Sequence, residues 1–184
     1  MPCNADMISI MSEMIAKLFK EGRSTEFEKH AAVFHAGDDV ASMYLISEGQ
    51  IDLVRHSQNG TRTILHRARA GEVLAEASAY SGVYHCDGIA VAPSRLNAIP
   101  VAVFRKRLDD DPGLSNAWAG DLAHALQNAR MNSEIRALRT VSERLDAWLA
   151  GGRMLPPKGE WQDLAQILGV TREALYRELA QRHR

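Results

Sequence analysis

The sequence predicts an α+β chain: an antiparallel, jelly-roll-like set of short strands, a long helix, and a C-terminal helix-turn-helix. Three observations predict it. Between Ala32 and Val103, short apolar runs alternate with glycine-containing turns at roughly 8–12-residue spacing, the signal of an antiparallel barrel or jelly roll. From Leu114 to about Arg136 no residue except Gly120 would interrupt a helix. The stretch from Trp161 to Arg184, WQDLAQILGVTREALYRELAQRHR, reads as two short helices around a tight turn.

Bulk composition narrows the class. A chain of 184 residues holds one large or two small domains, and 46% apolar content supplies a core. The net charge of −1 gives no global attraction to nucleic acid, so any such role must rest on local charge. From Arg139 onward there are eight Lys/Arg and six Asp/Glu, a net of +2, which leaves −3 for the rest. Cys3 and Cys86 give neither a disulfide framework nor paired metal spacing, and a reducing cytoplasm is the expected location. The N-terminus lacks the pattern of a signal peptide, and no run approaches 18 apolar residues, so no membrane partner is expected.

The elements follow in order. Met7, Ile10, Met11, Met14, Ile15 and Leu18 recur at helical spacing over residues 7–20. The strand-like runs are VFHAGDDV, MYLISEGQIDLV, TRTILHRA, GEVLAEAS, GIAVA and SRLNAIPVAVF. Their turn dipeptides are Gly37-Asp38, Glu48-Gly49, Asn59-Gly60 and Ala70-Gly71; Asn-Gly is a hairpin signal because a type I′ turn needs positive φ. Phe104 to Asp111 reads as a short helix stopped by Pro112-Gly113. The long helix aligns Leu114, Trp118, Leu122, Ala125 or Leu126, and Ala129, and its alanines admit close approach of a partner helix. Leu138 to Ala150 forms a further amphipathic helix, ended by Gly151-Gly152 and the connector GGRMLPPKGE. The division expected is 1–112 for the N-terminal helix and strands, 113–137 for the long dimerisation helix, and 138–184 for the helix-turn-helix.

Within the terminal pair, Trp161, Leu164, Ala165 and Leu168 pack the first helix. Gly169 permits the turn, and Thr171 caps the second helix. Leu175 and Leu179 face inward, leaving Arg172, Glu173, and Tyr176 or Arg177 outward. Arginine can grip guanine O6 and N7 with two hydrogen bonds, and glutamate can accept from cytosine N4. Thr171 and Tyr176 suit phosphate contacts, which position without specifying.

This order of parts resembles the Crp/Fnr family of bacterial transcription regulators, which join a cyclic-nucleotide-binding-type β-roll to a winged helix. The residues that carry it are FHAGDDVASMYLISEGQIDLVR, then Gly71-Glu72 where the family's phosphate-binding cassette begins, then GVTREALYREL. The resemblance implies a homodimer that binds a double-stranded DNA operator, and it admits RNA polymerase as a further partner. It carries base-reading roles onto Arg172, Glu173 and Arg177. Only AQRHR follows the recognition helix, so the expectation is a helix-turn-helix without a complete wing, with Arg182 and Arg184 supplying part of its charge.

The resemblance also implies an effector pocket. Family members that bind cyclic nucleotides use a Glu for the ribose hydroxyl and an Arg-Ser or Arg-Thr pair for the phosphate. Glu72 matches the ribose position, but Cys86 and Asp87 stand where the pair should be. A phosphate beside Asp87 without an arginine is disfavoured by charge, so a cyclic nucleotide is not the expected cofactor. On a strand, His85 and Asp87 would share one face of Tyr84-His85-Cys86-Asp87, and a soft metal ion held by His85 and Cys86, or oxidation of Cys86, is an alternative signal. A packed, inert cysteine is the competing reading. A sensory or protein-interaction module with a vestigial DNA-binding head is the alternative to a regulator. His56, His66 and His85 are too scattered for a cupin-like metalloenzyme, and no catalytic set is evident.

Overall fold

The computed structural model describes residues 13–57, 59–60 and 62–182, and within them two compact units that divide between Leu122 and Ala123. Met7, Ile10, Met11, Cys3 and Arg184 lie outside the described residues.

The first unit holds two four-stranded antiparallel sheets. Its strands are β1 (Arg23–Phe27), β2 (Ala32–Phe34), β3 (Ser42–Glu48), β4 (Gln50–His56), β5 (Arg62–Arg69), β6 (Val73–Leu74), β7 (Asp87–Ala90) and β8 (Ser94–Pro100). One sheet runs β1-β8-β3-β6 and the other β2-β7-β4-β5. Alternation drives the packing: Met43 and Ile46 on β3, Leu96 and Ile99 on β8, and Ile51 and Leu53 on β4 are buried in one core. The antiparallel roll predicted from the short runs is therefore present.

Consecutive runs do not all pair as hairpins. Glu48-Gly49 carries the chain from one sheet to the other, with Gly49 at φ 88 and no room for a side chain beside Ser94 and the Pro93 carbonyl. Asn59-Gly60 does lie in the β4–β5 hairpin, but the connection is the five residues 57–61 rather than a two-residue turn. Strand β1, RSTEF, was not among the predicted runs; it is mostly polar and exposed, and it is a strand because Arg23 through Phe27 pair with β8. GEVLAEAS is a strand only at Val73–Leu74: Ala75 turns left-handed at φ 53 and opens a 3-10 helix, Glu76–Tyr80. SRLNAIPVAVF splits at Pro100, the N-cap of helix α2 (Val101–Asp110).

Helix α1 is described over residues 13–18, where Ile15 and Leu18 enter the core. On α2, Phe104 and Leu108 face the same core, and Arg107 Nη1 donates to the carbonyls of Leu18 at 2.6 Å and Lys20 at 2.8 Å. Pro112 starts a helix as well as stopping one. Asp111 Oδ1 accepts from the Gly113 and Leu114 N–H groups, and Pro112 takes the first helical position, where its missing N–H costs nothing. The helix so begun, α3, runs Pro112–Ala137, 26 residues and roughly 39 Å at the standard rise. Leu114 and Trp118 are buried in the first unit, whereas no residue from Ala123 to Glu134 is buried.

The second unit packs Ile135 near the end of α3 with α4 (Val141–Ala150), α5 (Trp161–Leu168) and α6 (Arg172–Arg182). Helix α4 starts three residues later than the apolar pattern suggested. Thr140 accepts from the Glu143 N–H while the Glu143 carboxylate accepts from the Thr140 N–H, a reciprocal cap that fixes the first turn. Buried Leu145 and Trp148 from α4, Leu164, Ala165 and Leu168 from α5, and Leu175 and Leu179 from α6 form this unit's core.

Candidate functional site

The surface of α6 is built from the turn before it. Gly169, at φ 65, ends α5 in the left-handed region; its N–H donates to Gln166 O at 3.1 Å and the Val170 N–H to Ala165 O at 2.9 Å. This is the double closure of a Schellman turn, which a glycine makes without strain. Thr171 then caps α6, its Oγ1 accepting from the Ala174 N–H at 3.2 Å. The cap uses a lone pair of the hydroxyl oxygen and leaves its proton, the group that a phosphate contact needs, uncommitted by this bond.

With Leu175 and Leu179 buried, Arg172, Glu173 and Arg177 project together into solvent. None of the three makes an ion pair among the described residues. The Arg172 guanidinium lies 5.1 Å from the centre of the Tyr176 ring, which itself meets Trp161 edge-on at 4.9 Å. Tyr176 is half-buried and serves as a platform under Arg172, and its hydroxyl points to the Lys158 carbonyl at 3.4 Å. Arg182 is engaged elsewhere: it meets Asp146 at 2.6 Å and Glu178 at 2.7 Å, and it donates to the Ser142 carbonyl and hydroxyl.

Two functional neighbours escaped sequence reasoning. Arg136, in the last turn of α3, donates to the carbonyls of Gln166 and Ile167, both at 3.1 Å. Arg144, on α4, donates to Leu168 O at 3.1 Å and Gly169 O at 2.9 Å. Both lie outside the motif they support, so no spacing within it could reveal them.

In the roll, the predicted pocket residues do not act together. Glu72 is exposed, and its Oε2 lies 2.9 Å from His66 Nε2 on β5. The hydrogen bond to Glu72 holds the His66 imidazole above its ordinary value of 6.5. Cys86 is buried in the core, and burial pushes its thiol above the ordinary range, which suppresses the thiolate. His85 faces the other way, its Nε2 3.2 Å from Ser81 Oγ. The expected strand over these residues begins only at Asp87, yet the in–out alternation of Tyr84, His85 and Cys86 persists ahead of it. Among the described residues, no three His, Cys, Asp or Glu side chains converge to hold a metal ion. The pairing of His85 and Cys86 as ligands therefore lacks a third partner.

Asp87 is not an open pocket carboxylate either. Its Oδ1 accepts from the Ala36 N–H at 2.9 Å, and its two oxygens lie 3.5 and 3.2 Å from Nδ1 of His35 and His56. The backbone donor, then the histidines, hold this carboxyl below its usual value. Among the described residues, the ion-pair partners of Asp87 are these two histidines and no arginine.

Comparison with known proteins agrees with the two-part architecture. A family model described as the cyclic nucleotide-binding domain matches residues 24–111. The global nitrogen regulator of Synechococcus elongatus is 25% identical over 170 residues, covering 84% of this chain and 76% of that protein. FixK2 from Bradyrhizobium japonicum superposes with a TM-score of 0.70 at 19% identity, over 88% of this chain and 84% of that one. The c-di-GMP responsive global regulator CLP of Xanthomonas campestris gives a TM-score of 0.66 at 19% identity, over 94% and 91%. No helix among the described residues is long and apolar enough to cross a membrane. With a cyclic nucleotide-binding domain matched over residues 24–111 and these regulators among the proteins it is similar to, the chain resembles transcription regulators of the Crp/Fnr type.

Proposed function

We propose that this regulator binds a specific duplex DNA operator as a homodimer and reads it with α6. The observation that carries the reading is the trio Arg172, Glu173 and Arg177, exposed on one helix whose opposite side is buried, and without ion pairs among the described residues. Arginine and glutamate in that setting can address guanine and cytosine edges in the major groove. The unburied span of α3, including Leu126 at 51% exposure, supports a helix–helix dimer contact. RNA polymerase is a further partner consistent with such a regulator.

The roll is an effector domain whose signal is not a cyclic nucleotide. Cys86 points into the core and Asp87 is a carboxylate, so the positions of the phosphate-holding pair offer neither positive charge nor a hydroxyl. The buried thiol also counts against the metal or redox alternative.

Equilibrium binding to a selected duplex tests the proposal. Arg172→Ala should weaken specific binding by about 1–3 kcal/mol while binding to random DNA changes less. Equal affinity of wild type and variant for the operator would remove Arg172 from the reading surface.

A further inference from the structure

We propose that Arg136 and Arg144 are positioning residues for α6: a two-arginine clamp that fastens the turn before the recognition surface to the end of α3. The inference rests on the DNA-reading role of α6 for its consequence, but the clamp itself is a matter of geometry within the second unit.

The last carbonyls of any α-helix lack partners inside the helix. In α5 the Schellman turn closes on Ala165 and Gln166. The next three carbonyls, of Ile167, Leu168 and Gly169, accept from the two guanidinium groups, and Arg136 adds a second bond to Gln166. Arg144 also donates through Nε to Leu138 O at 2.9 Å, in the bend between α3 and α4. One side chain therefore ties two bends together, the one after α3 and the one before α6. Neither arginine makes an ion pair among the described residues. Both charges are directed at the negative end of α5, where a cation is favoured.

The residue types fit this task. A guanidinium offers several donors in a fixed plane, so Arg144 can reach three carbonyls on two bends; a lysine ammonium at the end of a flexible stem cannot hold that fork. Gly169 fits it as well: a Cβ there would lie 3.1 Å from Arg136 Cγ. The glycine that permits the turn also leaves space for the stem of the arginine that grips it. A shift of the α3–α4 bend would then reach the Thr171 cap, and with it Arg172 and Glu173, through hydrogen bonds rather than loose packing.

The test uses the full chain with Arg136→Ala, Arg144→Ala, Arg144→Lys and the double alanine variant. Hydrogen exchange at the Gly169, Val170 and Ala174 amides reads the clamp without DNA. Losing charge-assisted bonds should speed it about tenfold in the single alanine variants and more in the double, with the core amides of Leu145 and Leu164 unchanged. Arg144→Lys should behave like Arg144→Ala. Should the double variant unfold, the single variants decide by the same criteria. On DNA, operator affinity should fall about tenfold with the salt slope of binding retained, because neither arginine meets phosphate. Unchanged exchange in all the single variants, or full rescue by lysine, overturns the clamp. A slope reduced by about 0.9 per arginine identifies phosphate contacts instead and overturns the positioning role. If the wild type binds no DNA, the reading of α6 fails, while the exchange data still judge the clamp.

Discussion

His66 Nε2 lies 2.9 Å from Glu72 Oε2, so the carboxylate that the family resemblance assigns to a ribose is already engaged by a neighbouring strand. Folding raises the His66 pKa through that bond. The pairing therefore contributes stability that is complete below the ordinary value of 6.5 and is lost as pH rises through the raised value. Both side chains are about half exposed, at 54% and 46%, so solvent screening leaves it worth about 0.5 kcal/mol or less. An NMR titration should place the His66 midpoint above 6.5, and Glu72→Gln should bring it down. A midpoint indifferent to Glu72→Gln would show that the pair does not form in solution.

Cys86 should be a slow thiol. Burial holds it protonated within the core, beside Asp87 and Glu76, whose charges push the same way. In a Cys3→Ser background, alkylation of the folded protein should be slow and should rise only with unfolding in denaturant. Rapid alkylation at neutral pH would restore the redox reading of this segment.

Two glycines separate conformation from crowding. Gly60, at φ 77, has open space where a Cβ would go, so Gly60→Ala should cost about 1–2 kcal/mol, the left-handed penalty alone. Gly49, at φ 88, would collide with Ser94 and the Pro93 backbone, so Gly49→Ala should add about 1–3 kcal/mol of overpacking to that penalty. Urea midpoints of the two variants give the comparison, and equal losses would contradict the tight sheet-switching turn.

Thr171 should matter to folding before it matters to DNA. Its hydroxyl caps α6 through the Ala174 N–H. Thr171→Ala should destabilise the helical unit by about 1 kcal/mol, and Thr171→Ser should keep most of that stability, both read by denaturant unfolding. Equal stability of all three proteins would mean that the cap contributes nothing.

Much of this architecture was legible because it rests on local chemistry. The apolar periods of β3, β4, α5 and α6, the glycine at 169 and the cap at 171 each announce themselves within a few residues. The Thr140–Glu143 cap was legible too, as Thr-x-x-Glu, but the apolar pattern running back to Leu138 masked it. What escaped depends on distant partners. Polar β1 is a strand only because β8 lies beside it. Glu48-Gly49 resembles a hairpin turn, yet it switches sheets. At the candidate site the exposed trio on α6 followed from helical spacing, whereas Tyr176 as an aromatic platform and the two clamping arginines depend on tertiary contacts across 15 residues or more for Trp161–Tyr176 and 24 to 31 for the arginines.

The central claim is that α6 reads a specific sequence as part of a dimer. Selection of bound duplexes from a random pool, with the full chain, tests it most directly. The account predicts an enriched two-fold site whose half-sites lie about one helical turn apart, 10–10.5 base pairs centre to centre, and its loss with Arg172→Ala or Arg177→Ala. Recovery of random sequences only, with affinity governed by salt alone, would contradict it.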